Sequence, residues 1–147
     1  MTLTIRRLVA GAILVAGCSA TPPTAPDAAP VDPAMPPPSG MAVQGRFAGA
    51  GGHRGAGAAS LTVADGRALL EFGDDFTVSG VPGPFVYLNT TNNANTGTPL
   101  RVAALQRNSG AQQYSFQVPA GVRYTWILVW CDPFNTPVAE ASIPATP

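Results

Sequence analysis

The chain of 147 residues has eight basic and eight acidic residues, and its formal net charge is zero. Because it presents no excess of basic charge to attract phosphates, we expect no nucleic-acid partner. Sixteen glycines and sixteen prolines oppose helix interiors and disfavour a helical protein. An all-β domain behind a linker is the simplest interpretation.

The N-terminus has the parts of an export signal. Arg6 and Arg7 precede an apolar run over residues 8–16, which is too short to span a bilayer, and small residues lead to Cys18. Residues 14–18, Leu-Val-Ala-Gly-Cys, resemble the bacterial lipobox. The resemblance implies cleavage before Cys18 and lipidation of its sulfur. The alternative is a Cys that follows an ordinary signal peptide.

The resemblance also implies a location for the protein. A lipidated Cys18 would anchor the mature chain to a membrane of the bacterial cell envelope. Ser19 follows instead of Asp, which in a Gram-negative cell favours the outer membrane. The domain prediction is a lipoprotein signal peptide at residues 1–17, a lipidated Cys with a Pro/Ala-rich linker at 18–40, and a folded domain at 41–147.

The linker is rich in Pro, Ala and Ser and cannot bury a core. Such composition favours extended polyproline II, so that residues 19–40 could reach about 70 Å. We predict a disordered tether that holds the domain away from the lipid.

The domain shows short apolar or alternating segments separated by turn residues, with no convincing helix. Asp65-Gly66 is a strong signal for a two-residue hairpin turn. About eight strands of this kind predict an antiparallel β-sandwich. The predicted strands are residues 41–47, 60–64, 67–72, 85–88, 100–105, 112–118, 124–131 and 135–143.

The segment 124–131 is predicted to be the central strand. Tyr124 shares one face of an extended strand with Trp126, Leu128 and Trp130, and Thr125, Ile127, Val129 and Cys131 share the other. Both faces are almost wholly apolar, which indicates a strand covered on both sides.

The domain resembles a known family, the DM-thirteen domain, described as a predicted electron-transfer module that often accompanies DOMON domains. The resemblance covers residues 45–143, and the Trp-Cys-x-x-Phe element is its most specific part. It implies a redox role centred on Cys131, either as a naked thiol or as a ligand to a prosthetic group such as haem. The matching residues are Phe47, His53, Gly57, Asp75-Phe76, and residues 84–88, 110–114 and 129–134.

The number of cysteines also draws attention to Cys131. If Cys18 carries lipid, Cys131 has no partner within the chain, which is unusual in an oxidising envelope. Such a thiol is buried, coordinated or reactive. The alternative is that Cys131 is a small apolar residue at the end of a core strand.

His53, the single histidine, lies in a glycine-rich loop. Imidazole and thiolate can together ligate haem iron, and a shared site predicts that residues 48–57 pack beside Cys131. No Cys-x-x-Cys-His motif is present, so any haem would be non-covalent, and any zinc site would be incomplete. The alternative is a hydrogen-bonded or exposed histidine.

No recognisable catalytic set is present, and the acidic pair Asp74-Asp75 is better suited to capping a turn. Two hypotheses remain. The first is a lipid-anchored envelope protein for electron transfer or redox sensing through Cys131, with a redox partner protein in the envelope. The second is a non-catalytic cell-surface binding or structural module with a buried Cys131.

Overall fold

The computed structural model describes residues 25–147 of the chain. Cys18 and the segment interpreted as a signal peptide lie outside the described residues. Within residues 25–147 no helix is long and apolar enough to cross a membrane.

The described chain is all-β and its strands pair antiparallel, which confirms the predicted sandwich. Eight strands have five to seven residues, three have two, and one 3-10 turn follows β10 at Asp132–Phe134. The strands are β1 Ala42–Arg46, β2 Ala48–Gly49, β3 Gly55–Ala56, β4 Ala58–Ala64, β5 Arg67–Phe72, β6 Thr77–Val78, β7 Pro84–Asn89, β8 Leu100–Ala104, β9 Gln112–Gln117, β10 Trp126–Cys131 and β11 Thr136–Ser142.

Two sheets form the sandwich, and β3 with β6 forms a small separate ribbon. The first sheet has the order β1-β4-β5-β9, and the second has the order β2-β11-β10-β7-β8. β10 is the middle strand of the second sheet, between β11 and β7. The predicted central strand is therefore confirmed.

β10 is covered on both faces, as its sequence predicts. Ile127, Val129 and Cys131 belong to the main apolar cluster, which draws residues from both sheets. Leu128 and Trp130 point to the opposite side and join a smaller cluster under the 90–99 loop, which we call the outer cluster. The strand thus separates two apolar environments.

The prediction for Tyr124 is wrong, because β10 begins only at Trp126. The chain before Trp126 is not extended in the sheet, so side-chain alternation cannot be counted back to Tyr124. Tyr124 is 1 % exposed and packs in the main cluster, not with Trp126.

A loop over residues 90–99 follows β7, and its framework is a buried asparagine. Asn89 ends β7 and is fully buried. Its amide nitrogen donates to Thr91 Oγ1 and to the carbonyls of Asn93 and Thr96, and its Oδ1 accepts from the Thr90 backbone. Asn89 therefore holds the loop from inside, because its amide supplies hydrogen-bond donors to the carbonyls of Asn93 and Thr96.

The turn between β4 and β5 is the predicted two-residue hairpin. Asp65 and Gly66 have φ angles of 52° and 72°, as a type I′ turn requires. Asp75 caps a neighbouring segment as expected, since its Oδ1 accepts the Ala58 backbone N–H at 2.9 Å.

Residues 26–30, within the segment predicted as a tether, run along the edges of β8 and β9. We call these residues the strap. Arg67 also donates to the carbonyl of Pro36 at 3.1 Å. Part of the Pro/Ala-rich segment is thus packed on the sandwich.

Gly57 tests the close packing between the two chains of the β3–β6 ribbon, because it follows β3 and lies opposite Phe76, which precedes β6. Its φ is +114°, and a Cβ there would overlap the backbone of Phe76. Backbone cannot move aside as a flexible side chain can, so Gly57→Ala should lower the free energy of unfolding by about 3 kcal/mol or more.

Gly66→Ala is the matched control for this substitution, because Gly66 has a φ of +72° with no atom within 4 Å of its built Cβ. It should cost only about 1 kcal/mol, from the positive φ alone. Urea denaturation compares the two variants. Equal losses would show that the ribbon is not closely packed.

Candidate functional site

Cys131 ends β10 and is a free, buried thiol with 3 % of its surface exposed. Its Sγ donates to the backbone carbonyl of Pro82 at 3.1 Å. Burial and this hydrogen bond keep the sulfur out of contact with solvent. Cys131 is therefore protected in this conformation.

Only a short segment separates the thiol from solvent. Pro82, whose carbonyl accepts the thiol hydrogen, is itself exposed, and so are Gly80 and Gly83 beside it. Gly83 has a φ of +57°, and a Cβ there would lie 2.9 Å from the ring of Pro133. The glycines give this segment, residues 79–83, backbone freedom. Its contacts are two hydrogen bonds between Ser79 and Arg54, the packing of Val81 against the main cluster and the bond of the Gly83 carbonyl to Asp132.

The turn after Cys131 is held by a buried carboxylate. Asp132 is 7 % exposed. Its Oδ1 accepts the Tyr87 hydroxyl at 2.8 Å, and its Oδ2 accepts Nε of Arg101 at 2.7 Å. Its backbone N–H donates to the Gly83 carbonyl at 3.2 Å. Asp132 thus joins the Cys131 turn to β7, to β8 and to the segment that covers the thiol.

Arg101 is positioned by three different groups. Its guanidinium carbon lies 3.3 Å from the centroid of the Phe85 ring, which is a close cation–π contact. Nη1 donates to Asp27 of the strap at 2.9 Å, while Nε is bound to Asp132. One cation therefore neutralises two carboxylates from distant parts of the chain.

The far end of the turn is fixed by Asn135. Asn135 has the left-handed φ of 49°, and its Oδ1 accepts the indole N–H of Trp130 at 3.0 Å. Between these anchors Phe134 remains 67 % exposed. The Trp-Cys-x-x-Phe element is thus a rigid turn with a buried thiol at one side and an exposed aromatic ring at its tip.

His53 lies at the same end of the second sheet as Cys131. Its loop reaches β11, since a Cβ on Gly51 would touch Pro137 and Thr136, and Thr136 is the register partner of Cys131. Among the described residues, the imidazole makes no hydrogen bond to Cys131, and only its backbone N–H is bonded, to Ala50. A shared role for His53 therefore stays a prediction.

Arg123 cannot assist the thiol. It precedes the first residue of β10, whereas Cys131 is the last, so the two lie at opposite ends of an extended strand.

Haem does not fit Cys131 in this packing. The sulfur belongs to the main apolar cluster and is closed off by the Pro82 carbonyl. A groove of about 510 Å³ that is lined by Trp130 and Asn135 reaches neither Cys131 nor His53. Residues 25–147 also contain no group of three side chains that could hold a metal ion.

Sequence reasoning singled out Cys131 but missed Arg101, Tyr87 and Asp27. These residues lie 31 to 74 positions from their partners, and no local pattern marks them. Phe85 was quoted only as part of a strand. The sole available signal was Asp132 itself, a carboxylate directly after an apolar strand.

Asp132→Ala should destabilise the domain by about 3 kcal/mol. It leaves the partly buried Arg101 and the buried Tyr87 hydroxyl without their acceptor. Asp74→Ala is the control, because Asp74 is exposed and should change stability by less than about 0.5 kcal/mol. Equal midpoints for the two variants in urea would contradict a role for Asp132 in holding the turn.

All three tyrosines are buried, and their pKa values are raised. Burial raises the pKa of Tyr87, Tyr114 and Tyr124, and for Tyr87 the hydrogen bond and charge of Asp132 raise it further. The Tyr124 hydroxyl has no hydrogen-bond partner within residues 25–147. The folded protein therefore keeps these phenols protonated at a pH where the unfolded chain ionises them.

This difference sets a pH dependence. Because the folded pKa values exceed the unfolded value near 10, stability is fully present below about pH 10 and is lost as the pH rises above it. Ultraviolet titration should show less phenolate near pH 10 in the folded protein than in the unfolded chain, and Tyr87→Phe should weaken the loss of stability. A phenol that ionises normally in the folded protein would contradict the burial.

A comparison with protein families gives a match over this domain. The family model described as "Electron transfer DM13" matches residues 47–143, which is more than half of the chain and includes β2 to β11, Cys131 and its turn. No curated protein and no solved structure matches the chain. The resemblance inferred from the Trp-Cys-x-x-Phe element is confirmed, and the chain belongs to the DM13 electron-transfer family.

Proposed function

We propose that this protein is a lipid-anchored component of the bacterial cell envelope in which Cys131 exchanges electrons with a partner protein as a naked thiol. The observation that carries the proposal is a free thiol one residue beneath the surface, at the end of a firmly anchored turn. Membership of an electron-transfer family supports a redox role for the domain.

The proposed reaction is thiol–disulfide exchange. Opening of the 79–83 segment releases the Cys131 hydrogen from Pro82 and lets the proton pass to solvent. The thiolate then attacks a disulfide of the partner, a new S–S bond forms to Cys131, and the partner's other sulfur leaves as a thiolate. In the resulting mixed disulfide Cys131 is oxidised, and the partner sulfur that leaves is reduced. Attack of that partner thiolate on the mixed disulfide reverses the step and restores the Cys131 thiol.

The partner has to bring the second sulfur. The chain has two cysteines, and Cys18 would carry lipid in the mature protein. The exposed ring of Phe134 lies three residues from Cys131 and offers an apolar contact for such a partner. Anchoring through Cys18, at the outer membrane of a Gram-negative cell, would hold both proteins in one compartment.

The second candidate is a binding or structural module in which Cys131 is only a core residue. Its burial in the main cluster favours this alternative. The two candidates differ in one property: a redox thiol has to become accessible without global unfolding, whereas a core residue does not.

Reaction of Cys131 with a small aromatic disulfide measures that accessibility. The native thiol should react slowly, yet faster than the domain unfolds. Pro82→Gly removes a rigid ring but keeps the carbonyl that accepts the thiol hydrogen, so it should raise the rate about fivefold, corresponding to about 1 kcal/mol of easier opening. Release of the aromatic thiol, measured by absorbance, gives the rate.

Two controls accompany this measurement. Pro144→Gly makes the same change at an exposed residue outside the segment and should leave the rate unchanged. Cys131→Ser should abolish the reaction. A native rate no greater than the global unfolding rate would refute the redox role and support the core-residue alternative.

A further inference from the structure

The strap pairs with the exposed edge of the second sheet. The Ala28 N–H donates to the Arg101 carbonyl at 2.7 Å, and the Arg101 N–H donates to the Pro26 carbonyl at 2.9 Å. These bonds form a parallel bridge between Asp27 and Arg101 on β8, which is the last strand of that sheet. The strap thus fills hydrogen bonds that an edge strand leaves open.

The strap also pairs with the first sheet. The Gln117 N–H donates to the Ala29 carbonyl at 2.8 Å, and Pro30 forms an antiparallel bridge with Phe116 on β9. β9 is the last strand of the first sheet. One short segment therefore covers the edges of both sheets, where the sandwich would otherwise be open.

Side chains add to these backbone bonds. Ala28 is 9 % exposed and belongs to the main cluster, and Ala25 packs against the outer cluster. Asp27 forms its ion pair with Arg101 at 2.9 Å. The backbone hydrogen bonds, the burial of Ala28 and the ion pair of Asp27 all form in the same docked position of the strap. Together they favour the docked strap over a free one.

Docking shortens the possible distance between the domain and a lipid on Cys18. A free linker over residues 18–40 would reach about 70 Å. With Ala25 held on the domain, seven residue steps join it to Cys18, and their fully extended length is at most about 25 Å. The docked strap therefore limits the distance between Cys18 and the domain to about 25 Å, a limit that the composition of the linker does not indicate.

We infer that the strap holds the domain at the lipid surface, and that the redox partner of Cys131 is a protein of the same membrane. This inference rests on the proposed anchoring at Cys18 and on the proposed redox role. The strap also connects the anchor to the redox turn, because Asp27 and Asp132 bind the same guanidinium. A partner held in the same bilayer lies within this short reach, whereas a partner across the envelope does not.

Amide hydrogen exchange on the full mature chain tests the docking itself. The amides of Ala28, Arg101 and Gln117 should exchange at least about tenfold more slowly than that of Ser39, an exposed residue after the strap. Equal exchange at Ala28 and Ser39 would show that the strap is free and would overturn the inference.

Energy transfer on vesicles tests the distance. The two tryptophans, Trp126 and Trp130, belong to the domain and serve as donors to a dansyl-labelled phospholipid in vesicles that carry the lipidated protein. The native protein should show strong transfer. Asp27→Arg with Ala28→Asp should reduce it several-fold, because the strap then meets Arg101 with like charge and buries a carboxylate.

Asp32→Arg with Ala34→Asp is the matched control, since it makes the same changes at exposed residues beyond the strap. It should transfer energy as the native protein does. Weak transfer in the native protein, or no change on release of the strap, would overturn the inference.

Two further measurements separate this inference from the proposed function. Mass spectrometry of the N-terminal peptide reports lipidation of Cys18, and its absence would refute the anchoring and with it the inference. The reaction of Cys131 with the aromatic disulfide reports the redox role. If Cys131 does not react while energy transfer is strong, the strap holds the domain at the membrane but Cys131 has no redox role. The inference of a redox partner in the same membrane would then be refuted.

Discussion

The site depends on the ion pair between Arg101 and Asp132. Asp132 stands at the point where β10 leaves the core, and a carboxylate there needs compensation because burial penalises its charge. Arg101 supplies the opposite charge, Tyr87 supplies a hydrogen bond, and the Phe85 ring supports the guanidinium. Removing any one partner leaves the others partly buried and unsatisfied.

This network gives the Cys131 turn its rigidity. The thiol itself has only one hydrogen bond, to an exposed residue, while the next residue along the chain, Asp132, has four. Opening of the cover would break the bond from Asp132 to the Gly83 carbonyl, while the bonds of Asp132 to Tyr87, Arg101 and Asn135 would keep the turn in place. A protected thiol and a redox role are therefore compatible, provided that the opening is local.

Protection also bears on specificity in an oxidising compartment. A thiolate exposed at all times would react with any disulfide or oxidant that it met. In the proposed reaction, burial beneath the 79–83 segment would restrict Cys131 to molecules that are present when the segment opens, and the exposed Phe134 ring would give a partner a place to bind first. The family membership supports the redox proposal, whereas the burial of the thiol is common to both candidate functions.

The docked strap changes the prediction of a domain on a long disordered tether. Residues 26–30 pair with one edge strand of each sheet, and Pro26 and Pro30 have no N–H to leave unpaired. Composition alone predicts disorder for such a segment because it contains little to bury. In this segment the burial of one side chain, Ala28, is enough for docking, because backbone hydrogen bonds and the ion pair of Asp27 also stabilise the docked strap.

By itself the sequence determined the sandwich, its central strand, most strand positions, the hairpin at Asp65-Gly66 and the family. These features depend on local periodicity, on turn residues and on a short motif, all of which can be read from neighbouring residues. It also singled out Cys131, because the number of cysteines is a property of the chain alone.

Tertiary structure alone decided what surrounds Cys131. Arg101, Tyr87 and Asp27 meet Asp132 or one another only because β7, β8 and the strap are brought together, and no pattern within any one segment records those contacts. Likewise, Tyr124 turned to the main cluster because β10 starts at Trp126, and Asn89 was buried because the loop folds over it. Periodicity reports which face of a strand is apolar, but long-range packing decides which charges and hydroxyls meet at its end.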